Sequence, residues 1–545
     1  MQWLKRIFGS PSKPPEASRM VNGFPAPWVE LRPSIYSYLA EIELDSHGRL
    51  PQGSSDLPDE EIFQSRHGGK IRWAAGAMDG VFGHHTNLEN GSTDELLRLL
   101  VIASNTRSPV HVKYFYDQIC DQNQVTHIDQ LLDAVRASKD IQADSLHSFS
   151  QWLVRESPDR ASVKIGIALL GLLLPARDTE TLMLLGLHDE FTLYVAVALK
   201  NTLPSEEGEN ALWSLARKVD GWGRIHLVER LCKSNRADIK AWLLREGYKN
   251  SVMHEYLAYA CAVGGELLEA LKPDSVDDEL LNGAGDLIQA LISGGPAEGI
   301  ESYIDSAKVI QRYLEHAAKR ESAPLDAYLV VSDIARFTQD EGRDWSALEI
   351  MGWTVNQKMV VAELASSVLV KPNWQLLVLE NIEAEDRVKF WNAATAAERM
   401  GLDIWEKRLE RQRAGLGDQW FDLMRSREPD RIDQVIDLAL KQIDLASIAT
   451  GPGNDLGLGA DFQKHSALDF ILQELGEFPG KGWPLVEAGL QSSVIRNRNM
   501  ALKTLEAWGP SQWPEGTMHF LSNAHRMEPV EDVRARLAKL LAVAP

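Results

Sequence analysis

Cysteine is nearly absent from this chain of 545 residues, which contains only three. Cys120, Cys232 and Cys261 lie far apart, and no two of them have the close spacing of paired metal ligands. This scarcity excludes a disulfide-stapled fold and predicts reduced thiols inside helices. The first residues also lack an apolar stretch followed by small residues, so we expect no secretory signal and a cytoplasmic protein.

Long apolar runs are missing as well. The longest covers residues 165–174 and stops at Pro175. A helix that crosses a bilayer needs about 20 apolar residues, so this run is too short. We expect it to form a buried helix.

Three common active-site patterns are absent. The chain has no Gly-x-Ser-x-Gly elbow, no Gly-x-Gly-x-x-Gly after a strand and no His-Glu-x-x-His run. The glycine-rich stretch 451–459 lacks the Lys-Ser/Thr pair that contacts phosphate and magnesium in a P-loop. These absences argue against the simplest hydrolase, dinucleotide and zinc sites, and we predict neither a metal nor a cofactor.

Positive charge is in deficit. Lys and Arg number 57 against 78 Asp and Glu, which gives a formal net charge of −21. The summed field repels polyanions, so extensive wrapping of nucleic acid is not expected. The hydrophobic fraction of 44% and the charged fraction of 25% are those of a globular protein with a large core.

What the chain does contain is a pattern that occurs twice near its end. The letters GWPL at 482–485 open a helical segment, and IRNR follows at 495–498. QWP at 512–514 opens another, and VRAR follows at 533–536. A helical hairpin buries only part of its apolar face alone, so repeated hairpins predict a stack of them. The second copy has extra residues between its landmarks, which is typical of a terminal capping unit.

These segments resemble HEAT-type repeats of the armadillo-like superfamily. The likeness covers 463–545 best and 178–263 less well, and it includes an Asp followed by an aliphatic-Arg step at Asp532-Val533-Arg534. The run Asp220-Gly221-Trp222-Gly223-Arg224 fits that step in part. The resemblance implies an all-α solenoid of stacked antiparallel helix pairs. It also implies a scaffold that holds proteins along a concave face, although a minority of such proteins act on nucleic acid.

Composition and periodicity divide the chain into five regions. Strand signals are almost absent after about residue 90, and apolar residues recur there at helical spacing. The predicted regions are a flexible amphipathic and Pro-rich tail (1–20), a mostly irregular N-terminal cap (21–90), a helical repeat body (91–445), a Gly-rich loop (446–462) and C-terminal HEAT-like repeats (463–545).

The tail carries a short amphipathic turn. Trp3, Leu4, Ile7 and Phe8 fall at helical spacing beside two cations. Two turns of helix with so little positive charge bind lipid only weakly, so a weak membrane contact is the most we expect from them. The alternative is a frayed terminus that folds back on the body.

The segment 73–85 is the most unusual in the chain. It combines glycines and alanines with Asp79 and the adjacent imidazoles of His84 and His85. Small residues let the backbone approach another element closely, which predicts tight packing of the cap on the first repeats. The alternative is a site in which Asp79, His84 and His85 act as acid, base or ligand.

A second candidate site consists of the arginines in the two terminal copies. Arg496, Arg498, Arg534 and Arg536 would form a basic patch for a phosphate-bearing ligand if they lined one face. The alternative is that they pair with carboxylates of neighbouring repeats and tie the layers together.

The sequence supports three hypotheses about function. The first is a non-enzymatic scaffold that binds a protein partner on its concave surface. The second is a hydrolase or oxidoreductase that acts on a small or hydrophobic substrate at segment 73–85. The third is a nucleic-acid-binding HEAT-like protein, which the net charge of −21 disfavours. The sequence predicts neither the partner nor the oligomeric state.

Overall fold

The computed structural model of this chain describes residues 19–28, 31–65, 73–79, 93–121, 124–173 and 176–543. These residues are almost entirely helical, and consecutive helices pack as pairs. The predicted all-α class of stacked helix pairs is therefore confirmed for this part of the chain. The amphipathic turn predicted around Trp3, Leu4, Ile7 and Phe8 lies outside the described residues.

Two compact units make up the described chain. The first contains the described residues up to 321 together with 330–368, and the second contains 322–329 together with 369–543. Each unit has a hydrophobic core of its own. One core cluster lies between residues 24 and 169 in the first unit, and another lies between residues 405 and 540 in the second.

The first unit opens with a short antiparallel hairpin. Its strands are β1 (Met20–Val21) and β2 (Phe24–Pro25), with Met20 opposite Pro25 and Val21 opposite Phe24. The turn is Asn22-Gly23, and both residues have positive φ, which is the conformation that favours an Asn-Gly turn. Phe24 is buried, and its ring centroid lies 5.4 Å from that of Phe149, so the hairpin packs on the helices that follow.

The described residues then form nineteen α-helices in chain order, although 325–329 and 369, at the edges of two of the last helices, belong to the second unit. They are α1 (Ile35–Glu41), α2 (Glu60–Phe63), α3 (Thr93–Thr106), α4 (Pro109–Asp121), α5 (Gln124–Ala137), α6 (Ala143–Glu156), α7 (Arg160–Leu170), α8 (Thr179–Leu185), α9 (Asp189–Thr202), α10 (Ser205–Ala216), α11 (Gly221–Leu231), α12 (Ala237–Trp242), α13 (Glu255–Gly264), α14 (Leu267–Leu271), α15 (Asp278–Ser293), α16 (Ser306–Lys319), α17 (Leu325–Gln339), α18 (Trp345–Leu348) and α19 (Val355–Leu369). Shorter turns are the 3-10 helices Ala176–Asp178, Ile300–Ser302 and Glu349–Met351 and the π-helix Leu243–Gly247.

Alternate helices of the first unit form a continuous layer. Helices α7, α9, α11 and α13 each pack on the next, while α8 packs against α9 and α10 against α11. In α9 the buried side chains Phe191, Val195 and Leu199 are four residues apart, so they form one apolar stripe. This layering brings the starts of α9, α11 and α13 close together, and the sites described below lie at those starts.

The second unit continues with eleven further α-helices. They are α20 (Asn373–Asn381), α21 (Arg387–Arg399), α22 (Trp405–Arg413), α23 (Trp420–Met424), α24 (Pro429–Gln442), α25 (Leu445–Ile448), α26 (Gln463–Leu475), α27 (Trp483–Leu490), α28 (Ile495–Trp508), α29 (Thr517–Met527) and α30 (Glu531–Val543). The 3-10 turns Ala460–Phe462 and Pro510–Gln512 precede α26 and α29.

The two terminal copies of the sequence pattern form helix pairs. α27 packs on α28 and α29 on α30, and α26, α28 and α30 form a layer. α27 begins at Trp483 and has Pro484 in its first turn. A backbone N–H at this position has no acceptor within the helix, so proline costs no hydrogen bond there. The Gly-rich stretch before them runs along the start of α28, since Asp455 N–H donates to the Ser493 carbonyl at 3.2 Å and Ile495 N–H donates back to the Asp455 carbonyl at 3.1 Å.

Candidate functional site

Segment 73–79 lies against the start of α9. Gly76 has φ 71°, and its backbone N–H donates to a carboxylate oxygen of Glu190 at 3.0 Å. A β-carbon on Gly76 would stand 2.7 Å from the backbone oxygen of Asp189, which is closer than any side chain tolerates. The glycine is thus required both by its backbone conformation and by the close approach of the two elements.

Asp79 is buried and bound to a lysine. Lys164 Nζ, from α7, donates to the Asp79 carboxylate at 2.7 Å and to the Glu190 carboxylate at 2.5 Å. All three side chains are at least nine-tenths buried. The lysine therefore joins the segment to two helices of the layer, α7 and α9.

Arg160 extends this buried network along α7. Its Nε donates to Asp59 at 3.1 Å, and its Nη2 donates to Glu60 at 2.5 Å. Its Nη1 lies 3.7 Å from the Glu190 carboxylate. Two buried cations thus hold four carboxylates that come from three separate parts of the chain.

The pKa shifts follow from this arrangement. Burial opposes the charge on Glu190, but Lys164 and Arg160 outweigh it and lower the pKa of Glu190 to about 2. Burial also opposes the charge on Lys164, yet Asp79 and Glu190 raise its pKa. Burial raises the pKa of Asp79 despite the neighbouring lysine. The lysine and Glu190 remain charged at neutral pH, and their ion pairs hold segment 73–79 against α7 and α9.

His84 and His85, the other members of the predicted site, lie outside the described residues. The catalytic role predicted for Asp79, His84 and His85 therefore stays a prediction. The Asp79 carboxylate is hydrogen-bonded to a buried ammonium, an arrangement that positions a backbone segment.

The four arginines of the terminal copies each contact a neighbouring element. Arg496 pairs with Asp469 of α26, and Arg536 pairs with Glu506 of α28. Arg534 is exposed, and its Nη1 lies 3.4 Å from the Glu528 carbonyl. These contacts join α28 and α30 to the helices and loops beside them.

Arg498 is the most buried of these arginines. Its Nε and Nη2 donate to the two carboxylate oxygens of Glu528 at 2.8 and 2.9 Å. Its Nη1 donates to the Ser492 carbonyl at 2.7 Å, and its Nη2 to the Gly453 carbonyl at 2.7 Å. Arg498 thus joins the Gly-rich stretch to both terminal helix pairs.

A cavity of about 830 Å³ lies in the first unit, beside the buried network. It is lined by the loop 49–55 and by residues at the starts of three helices. The N-cap residues of α9, α11 and α13, which are His188, Asp220 and His254, all line it. Cavities of this size hold ligands as large as a nucleotide or a drug.

The three helix starts at the cavity are not capped alike. His188 Nδ1 accepts a hydrogen bond from Glu190 N–H at 3.2 Å and so caps α9. α11 and α13 have no side-chain cap. Two helix N-termini with their positive dipole ends therefore meet at the cavity without a capping side chain.

The second unit carries exposed apolar side chains on one helix pair. Leu376 and Leu379 of α20 are 69% and 57% exposed, and Val388 and Trp391 of α21 are 65% and 61% exposed. Each set is spaced three residues apart, so it lies on one face of its helix. The two helices pack on each other, and their buried side chains include Trp374, Val378 and Phe390.

No family model, curated protein or solved structure matches this chain. Its helical-repeat class therefore rests on its own helix pairs. Within the described residues, no helix is both long enough and apolar enough to span a membrane. The described His, Cys, Asp and Glu side chains also form no group of three or more suited to a metal ion.

Asp79 stands out in the sequence, whereas the cations that surround it in the structure do not. One signal was available, because Lys164 stands immediately before the longest apolar run and so had to be buried with a partner. The run 220–224 was recognised as a repeat landmark but not as a cavity wall. Its two glycines were the available signal, since a β-carbon on Gly221 or Gly223 would stand 2.6 Å from a carboxyl oxygen of Asp189.

Proposed function

We propose that this chain is a HEAT-like helical-repeat scaffold of the armadillo type that binds a protein partner in the cytoplasm and is not an enzyme. The stacked helix pairs support this proposal, because such stacks offer extended surfaces suited to binding other proteins. The buried ion pair between Lys164 and Asp79 supports a structural role for segment 73–79, since it leaves the carboxylate no access to a substrate.

The observation that carries the proposal is the exposed apolar face of α20 and α21. An exposed tryptophan with three exposed aliphatic side chains on one helix pair is unusual on a protein surface, and such patches mark interaction sites. Tryptophan is also the residue that most often dominates binding energy in an interface. The face therefore suits the apolar side of a partner helix or a partner surface.

Affinity purification with quantitative mass spectrometry tests this proposal. The full-length chain serves as bait beside the double variant Leu376→Lys/Trp391→Lys, which places two charges on the face. Both positions are more than half exposed, so the variant should fold like the wild type, and circular dichroism checks that it does. We expect a stoichiometric partner with the wild type that is lost with the variant.

Met527→Lys is the matched control, because Met527 is 63% exposed on α29 of the same unit. The control bait should retain the partner. Failure of the wild type to capture any stoichiometric protein would count against the scaffold hypothesis. Retention of the partner by the double variant would show that another surface binds it.

A further inference from the structure

A buried arginine without an acidic partner lines the cavity of the first unit. Arg224 is only 6% exposed, and its Nη2 donates to the Glu246 carbonyl at 2.7 Å. Its Nε has no hydrogen-bond partner, and among the described residues no carboxylate lies within ion-pair distance of its guanidinium. A buried charge with an unmatched donor is costly, so an anion near this guanidinium would offset that cost.

The position of Arg224 adds to this cost. It lies in the first turn of α11, where the helix dipole is positive and disfavours a cation. The start of α11 has no side-chain cap, and neither does the neighbouring start of α13. An anion in the cavity would satisfy the arginine and both helix ends at once.

Further cations surround the mouth of the cavity. Arg49, Lys218 and Lys249 line it, and none of them forms an ion pair with a carboxylate in the part of the chain that the structure describes. Three carboxyl groups, those of Asp189, Asp220 and Glu246, also line it. The wall thus carries more cations than these carboxylates balance, in a chain whose net charge is −21.

Two titratable groups on the wall have shifted pKa values. Burial raises the pKa of Asp189 well above its usual range, and the nearby Asp220 and Glu190 raise it further. Burial lowers the pKa of His188 to about 4.

We propose that this cavity binds a phosphate-bearing small molecule, with Arg224 at its floor, Lys218 and Lys249 at its mouth and the starts of α11 and α13 facing the phosphate. Phosphate oxygens match both the fork of an arginine and the N–H groups of a helix start. The volume of about 830 Å³ accommodates a molecule as large as a nucleotide. This site is separate from the apolar face of the second unit, so either proposal can fail without the other.

Isothermal titration calorimetry of the full-length chain with inorganic pyrophosphate tests the proposal, and AMP serves as a second probe at the same low ionic strength. We expect saturable binding that weakens as salt is added, together with a rise in Tm. Arg224→Met should weaken binding by about tenfold or more, because it removes a charge-assisted contact. Lys218→Met and Lys249→Met should each weaken it by about threefold, as expected for more exposed charges.

Arg230→Met is the matched control for the arginine. Arg230 is a partly buried arginine of the same helix, and like Arg224 it donates to a backbone carbonyl, that of His226, at 2.6 Å, but it does not line the cavity. Lys308→Met, which removes an exposed lysine elsewhere in the unit, is the control for the lysines. Both controls should bind like the wild type.

Three results would overturn the proposal. The first is the absence of binding by the wild type to both probes, and the second is equal weakening by Arg224→Met and Arg230→Met. The third is binding of a single-stranded oligonucleotide that neither probe displaces, which would indicate a nucleic-acid surface. If Arg224→Met fails to fold, the two lysine variants decide, since their side chains lie at the mouth of the cavity.

Discussion

His188 couples the stability of the first unit to pH. Its folded pKa is about 4, whereas an unperturbed histidine has 6.5, because burial disfavours the charged ring. Between these values the unfolded chain takes up a proton at this residue and the folded chain does not. The folded state therefore loses stability as the pH falls from 6.5 toward 4, by up to about 3 kcal/mol.

His188→Asn should remove most of this dependence, because asparagine can still cap α9 but does not titrate. Urea denaturation at several pH values between 6.5 and 4.5 measures how the free energy of unfolding depends on pH. This range stays above the window in which Glu190, with a pKa near 2 in the folded state, adds a loss of its own as the pH falls below 4.5. His47→Asn, at an exposed histidine, is the control and should keep the wild-type slope. Equal slopes for the wild type and His188→Asn would refute the assignment.

The close packing of segment 73–79 on the start of α9 depends on one glycine, Gly76. Gly76→Ala adds a β-carbon 2.7 Å from the Asp189 backbone oxygen at a residue with φ 71°, so it imposes both a clash and backbone strain. Gly53→Ala isolates the strain, since Gly53 has φ 94° with nothing within 4 Å of a β-carbon. We expect Gly53→Ala to lower the free energy of unfolding by about 1 kcal/mol and Gly76→Ala to lower it by clearly more. Equal losses would mean that the segment shifts to accommodate the methyl group.

The Gly-rich stretch is held by Arg498. Arg498→Met leaves Glu528, which is 3% exposed, as a buried carboxylate without its cation, and we expect a loss of about 3–5 kcal/mol. The double variant Arg498→Met/Glu528→Leu should recover much of this loss, since it removes both charges. Arg534→Met is the control and should change stability little, because its side chain is exposed. The rate of limited proteolysis at 451–459 gives an independent measure of how firmly the Gly-rich stretch is held in each variant.

Helices were easier to predict than the contacts between them. The start of α27 at Trp483 follows from a proline at a first turn, and the presence of a second helix containing Ile495 follows from apolar residues at helical spacing. The pair formed by Asp79 and Lys164 joins residues far apart in sequence, and neither local propensity nor periodicity reports such a contact. The cavity was missed for the same reason, because Arg224 becomes unusual only when the starts of three helices meet.

In the described part of the molecule, each of the two units has a core cluster of its own. The clusters at 24–169 and 405–540 share no residue, and each belongs to one of the two compact units. In helical-repeat proteins, stability is approximately a sum over repeats and the interfaces between neighbours. A local defect is therefore expected to weaken its own unit first, which makes single buried charges useful reporters of each unit.

Lys164→Met and Arg498→Met provide such a pair of reporters. In the first unit, Lys164→Met leaves Asp79 and Glu190 as buried carboxylates without their lysine. In the second unit, Arg498→Met leaves Glu528 as a buried carboxylate without its arginine. Hydrogen exchange measured by mass spectrometry in low urea should show faster exchange in residues 143–202 for Lys164→Met and in residues 463–543 for Arg498→Met, with the other unit unchanged. Equal acceleration in both units by either variant would show instead that the two cores unfold as one cooperative body.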